Sequence, residues 1–140
     1  MQQHGLRSGS ANKDRKVVQM IVRCEINLYS GRANPSWELT EKQRIDLFAR
    51  LATLPEASPG KRNEQLGYRG IHLAVNGDEA NAVQSIDVHD GAVRTLTRGG
   101  KERWYLDQDR ALERTLLQSG KGSMDSATYS YIADELGPAR

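Results

Sequence analysis

Residues 68–97, YRGIHLAVNGDEANAVQSIDVHDGAVRTLT, decide the fold. Apolar side chains recur at every second position: Ile71, Leu73 and Val75, then Ile86 and Val88, then a further run over residues 93–97. A period of two is the mark of a strand with one dry face and one wet face. Between the second and third runs stands His89-Asp90-Gly91-Ala92. The Asp-Gly pair tolerates the positive φ angles of a tight hairpin, so these two strands run antiparallel.

Toward the N-terminus, residues 18–29 alternate in the same way, with Met20, Val22, Cys24, Ile26 and Leu28 on one face and Arg23, Glu25, Asn27 and Tyr29 on the other. Ser30-Gly31-Arg32-Ala33-Asn34-Pro35 breaks that strand, and Trp37 and Leu39 close the loop with apolar anchors. Thr40 followed by Gln43 is a capping-box signature. It opens a helix carrying Ile45, Leu47, Phe48, Leu51 and Leu54, which stops before Pro55. Residues 55–66 hold two prolines, a glycine and mixed charge, and read as an exposed loop open to proteolysis.

Toward the C-terminus, residues 98–103 form a basic, glycine-containing turn, and residues 104–106 a short fifth strand or the start of a helix. Asp107 or Asp109 caps a helix with Ala111, Leu112, Leu116 and Leu117 inward, ended at Gly120. Asp125 caps a last helix whose Tyr129, Ile132, Ala133 and Leu136 share one face before Gly137-Pro138. The order strand, helix, several strands, two helices excludes alternating βαβ units. It implies an α+β fold in which an antiparallel sheet of four to five strands carries about three helices on one face.

The 140 residues suit one domain, expected over residues 16–140. Residues 1–15 lack apolar periodicity and read as a disordered tail or an expression scar; Met20, at the first credible strand, is a candidate natural start. The tail also sets the charge. It holds Arg7, Lys13 and Arg15 against Asp14, and without it the body has seventeen basic and seventeen acidic residues. A neutral body argues against a nucleic-acid partner, whose phosphates require a concentrated basic face. No run approaches the ~18–20 apolar residues of a membrane span, and no apolar segment follows Arg7 to make a signal peptide. The lone Cys24 forms no internal disulfide, which points to a reducing, cytoplasmic setting.

The densest cluster of unusual residues is Ser30-Gly31-Arg32-Ala33-Asn34-Pro35-Ser36-Trp37. As a binding loop, Gly31 allows a close turn, Arg32 offers a planar fork to carboxylate or phosphate, Asn34 supplies donor and acceptor, and Trp37 a stacking face. As a structural turn, Asn34 caps its own loop and Trp37 plugs the sheet beside the helix. Turn chemistry favours the structural reading.

This segment, C-E-I-N-L-Y-S-G-R-A-N-P-S-W-E-L, resembles the opening of a family of small, functionally uncharacterised proteins marked by Ser-Gly-Arg-Pro-Asn-Pro-x-Trp. The family's later L-G-Y-R-G segment is similar to residues 66–70 here. The chain departs from the pattern at Ala33, where the family has proline. The resemblance implies no reaction or ligand; it implies that the two glycine-containing motifs form one shared feature. The expected function is therefore a non-catalytic binding module using Gly31, Arg32, Asn34, Trp37, Tyr68 and Arg69. The arginines would contact an anionic ligand or protein partner, and the aromatic residues would supply contact area.

Two rival chemistries have candidate residues. His72, Asp87 and His89 share the polar parity of the central strands and could together hold a divalent metal. A connection centred near residues 79 and 80 sets His72 opposite Asp87, whereas a tight Asn76-Gly77 turn sets it opposite Asn81. The bland alternative is a solvated ladder, with Arg94 facing Asp87. Residues 98–105 put cations beside Trp104 and Tyr105 as a single-strand binder does, although a charged turn with both aromatics packed inward fits the neutral body better. Cys24 sits on the dry parity, away from both histidines, and reads as a buried hydrophobe. Gly120-Lys121-Gly122-Ser123 fails the phosphate-loop pattern and reads as a helix connection. No other catalytic motif and no cofactor fingerprint is present in the sequence.

Overall fold

Each alternating run becomes a strand, and their pairing assembles one sheet. The computed structural model of the protein describes residues 20–29, 33–60, 67–77 and 82–138. The tail at 1–15, Gly31, Arg32 and positions 61–66 of the expected loop lie outside the described residues. The strands are β1 (Ile21–Ile26), β2 (Ser36–Glu38), β3 (Ile71–Asn76), β4 (Val83–His89), β5 (Ala92–Thr97) and β6 (Glu102–Leu106). They lie in the order β2-β1-β3-β4-β5-β6, every neighbouring pair antiparallel. The helices are α1 (Glu41–Leu51), α2 (Ala111–Ser119) and α3 (Ser126–Leu136), with short 3-10 turns at Gln108–Arg110 and Lys121–Ser123.

The class is α+β, as the element order requires, but the sheet has six strands where four to five were expected. The extra strand is β2. Three residues are too few to display a period, and Asn34-Pro35 in front of them reads as loop. What makes them a strand is tertiary: Trp37 stands opposite Cys24 and Glu38 opposite Arg23. At the other margin, Pro55 and Ala57 exchange backbone hydrogen bonds with Leu106 and Trp104, so the chain after α1 shields the edge of β6. Covering an edge in this way blocks sheet-to-sheet association.

One core joins the dry parity of the sheet to the helices. Val22, Cys24, Ile26, Leu73, Ile86, Val88 and Val93 are fully buried and cluster with Leu47 of α1, Leu112, Leu116 and Leu117 of α2 and Ile132 and Leu136 of α3. Each such side chain contributes roughly 1.5–3 kcal/mol by leaving water. The opposite parity carries no helix among the described residues and consists of exposed or half-buried residues such as Arg23, Glu25, His72, Ala74, Asp87 and Arg94.

The helix starts follow the sequence signals. Gln43 N–H donates to Thr40 Oγ1 at 3.2 Å, and Thr40 N–H donates to the Gln43 side chain at 2.8 Å, the reciprocal box. Asp125 accepts from Thr128 N–H at 2.7 Å to start α3. Of the two aspartates offered for α2, Asp107 serves its first turn, with oxygens accepting from Leu112 and Glu113 N–H at 2.8 and 3.1 Å, while the cap position itself is Arg110. Asp109 and Arg110 instead take positive φ, near 57°, in the turn that leads into the helix.

Candidate functional site

The described flanks of the Gly31 loop, residues 27–29 and 33–35, are tied to the 67–70 segment. Beyond β1 the backbone of Asn27 donates to Gly70 O at 2.9 Å and accepts from Arg69 N–H at 2.7 Å, which ties the 67–70 segment to the start of the loop. From the other side, Asn34 Oδ1 accepts from Leu28 and Tyr29 N–H at 3.1 and 2.7 Å. Ile26 N–H donates to Pro35 O at 2.9 Å. The half-buried Arg69 reaches across with one Nη to Tyr29 O at 3.4 Å. A platform results, with Asn34 and Arg69 at its surface. Gly70 is required there: its φ is +102°, and a Cβ would stand 2.6 Å from His89 Cβ and 2.7 Å from Val88 O.

Trp37 and Tyr68 do not offer faces to a partner, which corrects the expectation that they supply contact area. Trp37 is buried, with Nε1 donating to Ser119 Oγ at 2.9 Å and its ring lying against Gly120. The connection Gly120-Lys121-Gly122-Ser123 thus seats an indole; a Cβ on Gly120 would fall 2.5 Å from that ring. Tyr68 is also buried, and its hydroxyl donates to Glu113 Oε2 in a short hydrogen bond. Burial pushes the phenol far above its ordinary pKa, and the Glu113 charge pushes the same way.

Glu113 is a residue the sequence reading missed. It is fully buried, yet both carboxylate oxygens are engaged: Arg110 donates through Nε and Nη2 at 2.8 and 2.9 Å, and Asp90 N–H donates to Oε1 at 3.0 Å. Such a fork-to-fork pair is the arrangement in which a buried charge is tolerated. No buried side-chain nitrogen or oxygen among the described residues lacks a partner. The signal was present, since position 113 shares the helical stripe of Leu112, Leu116 and Leu117, but a glutamate there reads as solvated.

On the helix-free face, one register row crosses the whole sheet: Ser36, Glu25, His72, Asp87, Arg94, Trp104. The wider β3–β4 connection is the one adopted, so His72 stands opposite Asp87. Its Nδ1 lies 2.7 Å from Asp87 Oδ1, and Arg94 Nη1 lies 3.2 Å from Oδ2. Asn34 Nδ2 extends the row by donating to Glu25 at 3.4 Å. The hydrogen bond to Asp87 raises the His72 pKa against the opposing effect of partial burial, and the charges of Asp87 and Glu25 add to the rise. Burial tends to raise the Asp87 pKa, but the His72 hydrogen bond and the His72 and Arg94 charges outweigh it and hold the value low.

The trio proposed for a metal does not assemble, a correction to that expectation. His72 and Asp87 pair with each other, whereas His89 stands past the end of β3 with its ring edge-on to Tyr68, centroids 5.5 Å apart. No three His, Cys, Asp or Glu side chains among the described residues gather as a metal-holding group. Cys24 lies on the opposite face from both histidines, and burial pushes its thiol pKa up to about 12.

In the basic turn, only Tyr105 packs inward. Trp104 has the other parity and lies on the open face over Gly60, which corrects the expectation that both point to the core. Arg103 beside it pairs with Glu56 at 3.4 Å, and Arg98 of the same turn places one nitrogen on Gly77 O. No helix among the described residues is long and apolar enough to cross a membrane. No family model, curated protein or solved structure matches the chain.

Proposed function

We propose that the protein is a non-catalytic binding module that engages an anionic or carboxylate-bearing partner through the platform around Asn34 and Arg69, with Arg32 of the same loop as a second contact. The observation carrying this reading is the convergence of two motifs, far apart in sequence, into one hydrogen-bonded unit at the sheet margin. Hydrogen bonds that already hold the described flanks of the loop reduce the entropy those residues lose when a partner arrives. Trp37 and Tyr68 support this role from beneath, as packing that fixes the platform. Arg69 is the described cation best suited to recognition, because the residue is only half-buried and its hydrogen bond to the Tyr29 carbonyl is a long one.

The test is fluorescence anisotropy of a labelled oligoglutamate peptide titrated with the full chain. Arg69→Ala and Arg32→Ala should each weaken binding about tenfold, the scale of one charge-assisted contact. Their unfolding free energies should stay within about 0.5 kcal/mol of the parent. Wild-type protein that leaves the peptide free, or an Arg69→Ala variant that loses substantial stability, would remove the platform as a recognition surface.

A further inference from the structure

The helix-free face also holds a hollow with a cavity volume of about 520 Å3, floored by Ala74 and lined by His72, Asn76, Gln84, Ser85 and Arg98. Its size is that of a small-ligand site. The lining is chemically one-sided: it has an imidazole, a guanidinium, two amides and a hydroxyl, and no carboxylate among the described residues. The amides of Asn76 and Gln84 and the Ser85 hydroxyl have no protein partner among the described residues. Arg98 is oriented by a bond from one nitrogen to Gly77 O, which leaves its other donors available. His72 is oriented through Nδ1 by Asp87, and Asp87 is in turn held by Arg94, so Nε2 is the ring nitrogen left for a ligand.

We infer that this hollow is a binding site for a small oxyanion, a phosphate or dicarboxylate group whose charge is met by His72 Nε2 at one end of the hollow and Arg98 at the other, and which is hydrogen-bonded from among Asn76, Gln84 and Ser85. Charged groups at both margins with neutral donors between them match an anion with several acceptor oxygens. A cation is disfavoured there among the described residues, since the Asp87 carboxylate beside His72 is already shared between His72 and Arg94. The groups facing His72 are Asp87 on β4, Glu25 on β1 and Arg94 on β5. The two carboxylates favour the imidazolium, which donates through both nitrogens. Anion affinity should therefore be greatest below the raised His72 pKa and fall as pH rises through it. This site goes beyond the Arg69 platform and does not depend on it.

The experiment is a 15N–1H NMR titration of the full chain with inorganic phosphate and, separately, with succinate, ionic strength being held constant with sodium chloride. The expected result is a saturable shift of the His72, Asn76, Gln84 and Ser85 signals. Phosphate alone, succinate alone or both acting in this way identifies which oxyanion the hollow accepts. Arg98→Gln should weaken binding about tenfold. His72→Gln should remove the difference in affinity between about pH 5.5 and about pH 8.5, and Arg69→Ala should leave affinity within about twofold. Non-saturating shifts, an equal response to glycerol, or affinity unchanged in Arg98→Gln overturns the assignment. Because the wild-type titration needs no variant, misfolding of either substituted protein leaves the inference open to refutation. Failure of the oligoglutamate test with a positive phosphate titration would reject the platform alone.

Discussion

Two regions of this molecule are built from the same kinds of side chain and behave as opposites. At the hairpin end of the sheet, Glu113 and Arg110 form a carboxylate–guanidinium pair with Tyr68 and the Asp90 backbone filling the remaining positions. On the helix-free face, Asp87 is shared between His72 and Arg94. Glu113 is fully buried, while the side chains of His72 and Asp87 are 38% and 37% exposed. Burial is the difference that matters. An enclosed ionic group must have every acceptor filled or the fold is penalised, so the Glu113 cluster is committed to structure. A group at the water boundary is stable with a donor left over, so the His72 row keeps capacity for a ligand.

Glu113→Ala should have the largest effect. That change strands the Tyr68 hydroxyl and the Asp90 amide and leaves Arg110 only its longer contacts to Asp90 and the Glu135 carbonyl, and should cost about 3–5 kcal/mol in chemical denaturation. A loss no larger than that of Asp87→Asn would show that burial is not the discriminator. Gly70→Ala, where the platform passes His89, combines a left-handed backbone with a clash and should cost about 2–3 kcal/mol. If it is tolerated, the 67–70 segment is looser than its hydrogen bonds imply. Tyr68→Phe removes one donor from Glu113 while keeping the ring, with an expected loss of about 1–3 kcal/mol.

Smallest is the effect of Asp87→Asn, under about 1 kcal/mol because the pair is well exposed. Its sharper signature is in the pH profile. Asp87 is held below its ordinary pKa, so its contribution is full above the unfolded carboxylate value and is lost as pH falls through the depressed one. His72 is raised, so its contribution is full below the unfolded imidazole value and is lost as pH rises through the raised one. The pair therefore stabilises most between roughly pH 4 and pH 6.5, and Asp87→Asn should flatten both limbs of the unfolding curve. An unchanged profile would remove the coupling inferred for the row.

Much of the scaffold was legible because it rests on local chemistry. Alternation at residues 71–75, 86–88 and 93–97, the Asp-Gly turn and the Thr40–Gln43 box each act over a few residues, and the structure uses each of them. The pairing of His72 with Asp87 was one of two registers the sequence allowed. Residues 78–81, which connect β3 to β4, carry no apolar signal to choose between them. Asn34 as a loop cap was readable from its type, but the tie between its loop and Arg69 was suggested only by a family resemblance, since backbone hydrogen bonds leave no trace in side-chain identity.

Adjacent side chains alone were enough for four of the six strands and for the three described helices, for which parity is dry, and for the separation of Cys24 from the histidines, because periodicity and capping act over a few residues. That Trp37 belongs to a sixth strand, that Glu113 is buried beside Tyr68, and that His72 and Arg98 border one hollow came from packing across the whole fold. Those outcomes depend on groups brought together from distant parts of the chain, where burial and register are set by the packing of the whole sheet against its helices.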